Sequence, residues 1–283
     1  MVEPMVRRSE FTDGHFGLAL FSDLHLGATD IQEQKLRDDL KRSCDENRRI
    51  LINGDVVEAI LPHDRKRYTP SRAMSLRDDV LNEQTYYAVD FLAPYVDYID
   101  LIGDGNHEAA LLKYNSYDII GAICVLLNQK RPQSIGMIHR AGYQGYARYL
   151  IEYRKGHGNA FTIFHHHGSG GSAPVSKGMI DFNRIVYSHD ADLYWVGHKH
   201  VGTHDPYVMR DRLTVGNKYE LRRCHAVYTA GYKNGANFDK KGKGHNSHYS
   251  DQFYSMQACG YAVVDIYQNL NDKSIKSVEV ISR

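Results

Sequence analysis

The sequence contains no long hydrophobic run. Nowhere do about 18 apolar residues follow one another, so no membrane-spanning helix is expected. Its first stretch, MVEPMVRRSEFTDGHFG, carries no apolar segment of the secretory type, and a cytoplasmic protein with no membrane partner is predicted. Cysteine is scarce. Cys44, Cys124, Cys224 and Cys259 lie far apart and form no C-x-x-C pair, which argues against a zinc knot or a redox motif and predicts reduced, mostly buried thiols. A dominant charge is missing as well: 35 Lys and Arg stand against 34 Asp and Glu. No whole-protein field draws in nucleic acid or a membrane, so any polyanion site has to be local. There is no Pro-rich or Gln-rich tract, and 42% hydrophobic with 24% charged residues is the composition of an ordinary globular protein. Neither a G-x-S-x-G nor a Cys-centred signature occurs, so no protein nucleophile is expected.

Histidine and tyrosine, by contrast, are plentiful, at 16 and 21 residues, and histidine in that number invites a search for metal sites. Short apolar runs suited to buried strands alternate with stretches of helical period: FGLALF (16–21), a charged helix near 31–46, RILIN (49–53), a helix near 77–93, YIDLIG (98–103), and, after a loop, a helix near 117–129. This is the pattern of βαβ units. Beyond about residue 135 the character shifts toward β. YARYLIEYR and NAFTIFHH flank the turn KGHG as a hairpin, a helix over 174–188 precedes DLYWVG (192–197), and YELRRCHAVYTA, YAVVDIY and IKSVEVI read as further strands. With no linker and no repeat, one α/β domain over 1–283 is predicted.

Five apolar runs end in polar clusters: FSDLHLG, INGDVVE, IGDGNHE, FHHHGSGG and VGHKH. Loops beyond the carboxyl ends of parallel strands converge on one crevice, so these clusters are expected to meet. Together they offer Asp23, His25, Asp55, Asn106, His107, one or more of His165 to His167, His198 and His200. Carboxylate, amide oxygen and imidazole without thiolate suit Zn²⁺, Mn²⁺, Fe or Ni²⁺. The number of ligands exceeds what one ion needs and suggests two ions sharing a carboxylate. Strand side chains alternate between faces, so His165 and His167 share one and His166 points to the other.

In this order, D-x-H (Asp23, His25), G-D (Gly54, Asp55), G-N-H-E (Gly105 to Glu108), H-G (His167, Gly168) and G-H-x-H (Gly197 to His200) resemble the signature of the calcineurin-like metallophosphoesterases. The blocks span residues 23 to 200, and their combination carries the resemblance where any one alone would not. The resemblance implies an α/β fold of the metallophosphoesterase type, a two-sheet β-sandwich flanked by helices (α-β-β-α). It implies Asp23, His25 and His200 on one divalent ion, Asn106, His198 and His167 on a second, and Asp55 bridging them. It also implies hydrolysis of a phosphate ester by a metal-bridging hydroxide, with His107 as the catalytic residue beside the phosphate. Manganese is one of the ions such a site takes. Gly54, Gly105 and Gly197 fall at turns where a side chain would obstruct the site.

Glu58 occupies the position at which the protein-phosphatase branch carries an Asp that orients the catalytic histidine. It is expected either to polarise His107 from behind or to face water at a helix start. Lys199 stands where threonine is commoner and Glu108 where aspartate is, and the G-D block lacks the arginine and glycine of protein phosphatases, which weakens that assignment. His165 and His166 are given structural roles, with His166 a candidate for substrate contact. The segment HDRKRYTPSRAM (63–74) brings His63, Arg65, Lys66, Arg67 and Arg72 together with Tyr68 after the G-D block. Arg65, Arg67 and Arg72 are candidate phosphate-binding residues and Tyr68 a stacking platform. Loops 61–75 and 233–254 are therefore expected to contact substrate, and a phosphodiesterase acting on nucleic acid or nucleotides is the predicted function. A broad-range phosphomonoesterase and an inactive binding scaffold on the same fold are the alternatives.

Overall fold

The computed structural model describes residues 3–28, 30–61, 79–170, 179–200, 202, 208–213, 216, 218–233 and 259–283. The apolar runs become strands and collect in two six-stranded sheets. One sheet is built on β2 (His15–Phe21), β3 (Arg49–Asn53), β4 (Ile99–Gly103) and β5 (His139–Arg140), all parallel, with β11 (Ala262–Gln268) and β12 (Ile275–Ser282) added antiparallel beyond β2. The other runs in the order β1 (Met5–Glu10), β6 (Gln144–Arg154), β7 (His157–His166), β8 (Leu193–Val196), β10 (Tyr219–Tyr228) and β9 (Val208–Leu213). Its central strands β7, β8 and β10 are mutually parallel.

The sequence explains these layers. β2, β3 and β4 are apolar on both faces because both faces are covered. Their outward side chains, among them Phe21, Ile50, Ile52, Ile99 and Ile102, pack under α1 (Glu33–Asp45), α2 (Val80–Leu92), α3 (Asn106–Asn115) and α4 (Ile119–Lys130). Their inward side chains Leu18, Leu20, Leu51 and Leu101 meet Tyr149, Ile151, Phe161, Ile163, Leu193 and Trp195 of the second sheet in a shared core. The outer face of that second sheet is covered by α5 (Met179–Ser188) through Phe182, Ile185 and Val186. The result is the α-β-β-α arrangement that the resemblance implies. Among the described residues no single helix is long and apolar enough to cross a membrane.

Two elements depart from the expectation. The sequence pattern predicts a loop after β4, yet Asn106–Asn115 is a helix, too short and too weakly amphipathic to announce itself by periodicity. MVRRSE, alternating and half polar, pairs in parallel with β6 as an edge strand. The helix expected over 174–188 is seen from Met179 onward, its earlier residues lying outside the described ones.

The end of the sandwich away from the parallel strands' carboxyl termini is tied by one buried charge. Asp100 in β4 is fully buried and accepts from Arg49 Nη2 at 2.5 Å, Arg131 Nη2 at 3.1 Å and the Tyr149 hydroxyl at 3.0 Å, with Arg7 Nη2 at 3.3 Å. Tyr149 and Arg7 belong to the opposite sheet, so this carboxylate staples the layers. Asp100→Ala would strand three guanidinium groups and is expected to destabilise the fold by about 3–5 kcal/mol, read as a fall in the urea midpoint. A loss under about 1 kcal/mol would show that the cluster contributes little.

Candidate metal centre

All five polar clusters come together where the parallel strands of both sheets end. Asp23 and His25 follow β2, Asp55 follows β3, Asn106 and His107 open α3 after β4, His167 follows β7, and His198 and His200 follow β8. Asp23, His25 and His200 present one ligand atom each, all within 4.8 Å of one another, and Asp55, His167 and His198 form a second such group. His25, Asp55 and His107 make a third grouping of the same compactness. Across the cluster His167 Nε2 lies 3.3 Å from Asp55 Oδ2, His25 Nε2 3.8 Å from the same oxygen, and His200 Nε2 3.5 Å from Asp23 Oδ1. Asp55 thus stands between the two groups, where the sequence resemblance has its bridging ligand.

The backbone is bent to achieve this. Asp23 (φ 54°), His25 (φ 49°), Asp55 (φ 48°), His198 (φ 69°) and His200 (φ 51°) all adopt the left-handed conformation. Each such residue costs of order 1–2 kcal/mol relative to ordinary geometry. Five of them in one cluster mark a place where side-chain direction outweighs backbone ease. The turns also need space: a Cβ on Gly54, itself at φ +74°, would come within 2.6 Å of the Gly105 main chain and of His167 Nδ1. A Cβ on Gly105 would land on the Asp55 side chain and main-chain nitrogen.

The hydrogen-bond pattern bears on whether a cation fits. A carbonyl only accepts, so His167 Nδ1–H donates to Asn53 O at 2.8 Å, and a neutral ring then turns the Nε2 lone pair toward Asn106 Oδ1 at 3.2 Å and Asp55 Oδ2. Three acceptors face one another with no donor among them. That arrangement is stable only with a proton or a metal cation in their midst. In the absence of a metal the proton does it: burial works against a charged ring, but the Asp55 carboxylate prevails and pushes His167 up to about 10. His25 and His200 go the opposite way. Burial, helped by Lys233, pushes His25 down to about 3, and burial pushes His200 down to about 4, so both present lone pairs at neutral pH. Both ring nitrogens of His25 are buried without a hydrogen-bond partner, Nε2 being the one on the side of Asp55. A divalent cation would satisfy that orphan nitrogen and the facing acceptors together, so the donor set fits one.

Behind the ligands a network of buried groups fixes their directions. Asp23 accepts the His198 main-chain N–H at 2.9 Å and the Ser22 hydroxyl, Ser22 meets Thr229 Oγ1 at 2.5 Å, and Thr229 accepts from Trp195 Nε1 at 3.1 Å. Glu108, the third residue of α3, accepts from the main-chain N–H groups of Gly105 (2.8 Å), Asp55 (3.1 Å) and Val57 (3.1 Å), and so locks two ligand loops together. An aspartate, one methylene shorter, would not span them from the same backbone. His107 N–H donates to Asp55 Oδ1 at 3.0 Å, while its ring Nδ1 donates to the main-chain oxygen of Glu58, leaving Nε2 toward the cluster 3.9 Å from Asp55 Oδ2.

Glu58 corrects both sequence expectations. It is buried rather than facing water, and the group that orients His107 is its carbonyl, not its carboxylate. The carboxylate turns instead to His25 Nδ1, 3.1 Å away, and to Lys233 Nζ at 2.9 and 3.1 Å. Lys233 and Gly231, whose Cβ would strike His200 Nδ1 at 2.6 Å, come from the turn after β10; Gly231 carries no motif, and Lys233 begins the 233–254 stretch, which is expected to contact substrate and not a ligand's partner. His165 is buried between the sheets with Nδ1 3.4 Å from Asn53 Oδ1, outside both ligand groups. His166, half-buried on the opposite side, accepts from Gly168 N–H at 2.8 Å and packs edge-on to Tyr143. Arg65, Arg67 and Arg72, with the rest of loop 61–75 beyond Leu61, lie outside the described residues, as does 233–254 after Lys233.

No protein-family model matches the chain, and no curated protein matches it. Solved structures similar to it include a conserved uncharacterised protein from Streptococcus pneumoniae described as a predicted phosphoesterase, at 11% identity, covering 95% of this chain and 98% of that one, with a TM-score of 0.34. A metallophosphoesterase from Sphaerobacter thermophilus is 12% identical over 95% of this chain and 88% of its own, TM-score 0.33. GAP50, the anchor in the inner membrane complex of Plasmodium, is 11% identical over 95% and 89%, TM-score 0.38. Overlaps this loose carry no weight beside the ligand geometry. The five sequence blocks that resemble the calcineurin-like metallophosphoesterase signature close on one cluster of ligand-type side chains.

Proposed function

We propose that the chain is a binuclear metal-dependent phosphoric ester hydrolase, with Asp23, His25 and His200 holding one divalent ion, Asn106, His167 and His198 the other, and Asp55 both. The observation that carries this reading is the meeting of imidazole nitrogens and carboxylate oxygens in two compact groups that share Asp55 as neighbour. When bound, the ions supply Lewis acidity toward phosphoryl oxygens and a nucleophile from water at neutral pH.

The protein's own residues do the rest. His107 enters the site at the second residue of α3, where the positive end of the helix dipole favours an anionic substrate. Its Nδ1–H is fixed by the Glu58 carbonyl, so a protonated ring presents Nε2–H to a phosphoryl oxygen or to the departing alkoxide. Asn106 contributes a neutral oxygen and leaves the ion pair with net positive charge for the phosphate.

For substrate we favour a phosphodiester of nucleic acid or nucleotide type. Support for it is the basic, Tyr-containing run HDRKRYTPSRAM, which begins two residues after Leu61 on the same connection that carries Asp55 and Glu58. Arg65, Arg67 and Arg72 are proposed to grip phosphate oxygens, with His166 as a further contact. The four cysteines are free, which suits a reducing cytoplasm. With Mn²⁺, Ni²⁺ or Zn²⁺ added in turn, a nitrophenyl phosphodiester is expected to be cleaved faster than the nitrophenyl monoester. Faster monoester turnover would assign a phosphomonoesterase instead, and no metal-dependent turnover on any ester would indicate a binding scaffold.

A further inference from the structure

We infer that Glu58 and Lys233 form a positioning pair that sets the affinity of one metal position, the one built on His25, independently of the hold on His107. The inference rests on the proposed metal-dependent reading of the site and deepens it.

Glu58 acts in two directions at once. Its main-chain oxygen accepts from His107 Nδ1, and its side chain runs to His25, with Oε2 3.1 Å from Nδ1. Two histidines of different roles are thereby aligned by one residue through chemically separable groups. A side-chain substitution removes the contact with His25 and leaves the carbonyl that holds His107.

The carboxylate itself is anchored. Lys233 Nζ lies 2.9 Å from Oε2 and 3.1 Å from Oε1, and both side chains are nearly sealed from solvent, at 10% and 2% exposure. Lys233 is supplied by the turn after β10 and bridges to Ile31, so the pair joins the end of one sheet to the β2 and β3 loops of the other. The lysine has a chemical reason to be there. A lone carboxylate sealed beside an imidazole is costly, and an ammonium group compensates it without entering the ligand cluster. Nδ1 lies beside the carboxylate at 3.1 Å without hydrogen-bond alignment, and Nε2 is buried with no partner, so the ring is oriented by charge proximity with Nε2 left for the cluster. A carboxylate behind a metal-binding imidazole fixes the ring's orientation and raises its basicity, and loss of such a partner weakens metal binding about 10–100-fold.

The test is Mn²⁺ binding by equilibrium dialysis on the wild-type chain, Glu58→Ala, Glu58→Gln and Lys233→Met, with hydrolysis measured over a range of Mn²⁺. Two ions per wild-type chain are expected. In Glu58→Ala one binds about 10–100-fold more weakly while the other is unchanged, and kcat returns to near the wild-type value at saturating Mn²⁺ because His107 is still held. Glu58→Gln, which keeps an acceptor, and Lys233→Met fall between the two. Unchanged dissociation constants in Glu58→Ala would overturn the inference. So would equal weakening of both ions, or a kcat that excess metal fails to restore, since a general structural role predicts these. Wild-type chain that binds no Mn²⁺ would instead overturn the functional reading itself.

Discussion

Asp55→Asn is expected to lower metal-dependent hydrolysis by at least about 10³-fold, corresponding to the several kcal/mol of charge stabilisation that the ions supply. It should also bring the purified protein below two ions per chain. The substitution is nearly isosteric, and the remaining amide oxygen can still accept the His107 N–H that Asp55 Oδ1 now accepts at 3.0 Å. Main-chain contacts of the loop, His25 N to Asp55 O at 2.8 Å and Asp55 N to Glu108 at 3.1 Å, do not involve the side chain. The fold should therefore survive, with the metal-free protein melting somewhat lower because the buried His167–Asp55 charge pair is lost. What changes is the charge and the second lone-pair-bearing oxygen, now 3.3 Å from His167 and 3.8 Å from His25. Placing an NH₂ there faces two imidazole lone pairs with a donor and removes the shared ligand. Metal content by elemental analysis and turnover of the nitrophenyl diester check this. Full metal content with activity within tenfold of wild type would remove Asp55 from the bridging position.

His107→Ala should behave differently. Acid–base assistance by a positioned side chain is worth about 10²–10⁴-fold, and that much is expected to be lost from kcat with metal content unchanged. The loss should depend on the leaving group. A nitrophenolate departs with little help, whereas an alkoxide such as a nucleoside hydroxyl needs its proton, so the deficit should be several-fold larger or more for the alkyl ester. The structure also brings His107 close to His25 and Asp55 in a grouping compact enough for a cation. The same variant decides between these roles, because a ligand's loss releases metal and is partly restored by excess metal. An equal deficit on both esters, with metal lost, would make His107 a ligand rather than the catalytic residue.

Much of this site was legible in the sequence because it depends on two regular features. Parallel strands leave their following residues at one end of a sheet, and FGLALF, RILIN and YIDLIG are apolar enough to mark strands independently of the polar residues that follow them. Strand alternation likewise separated His167 from His166, and burial of the former against half-exposure of the latter follows that pattern. Three kinds of information were not legible. Left-handed backbone at Asp23, His25, Asp55, His198 and His200 reflects a tertiary demand that no local propensity states. Lys233 and Gly231 reach the cluster through the pairing of β10 with β8, a contact between distant segments that no local pattern around them states. For Glu58 the position was right and the chemical group was wrong, since sequence pattern names a side chain and says nothing of which carbonyl lies behind a ring. Helix α3 was missed for another reason: its first turn is held by Glu108 bonding to Gly105 N–H and not by an apolar stripe.

The most direct measurement is a crystal structure of the chain grown with Mn²⁺, with data collected at a wavelength where manganese scatters anomalously. The account predicts two anomalous peaks, one beside Asp23, His25 and His200 and one beside Asn106, His167 and His198, roughly 3.5–4 Å apart with Asp55 between them. Peaks elsewhere on the protein, or none at a saturating concentration of the ion, would contradict it.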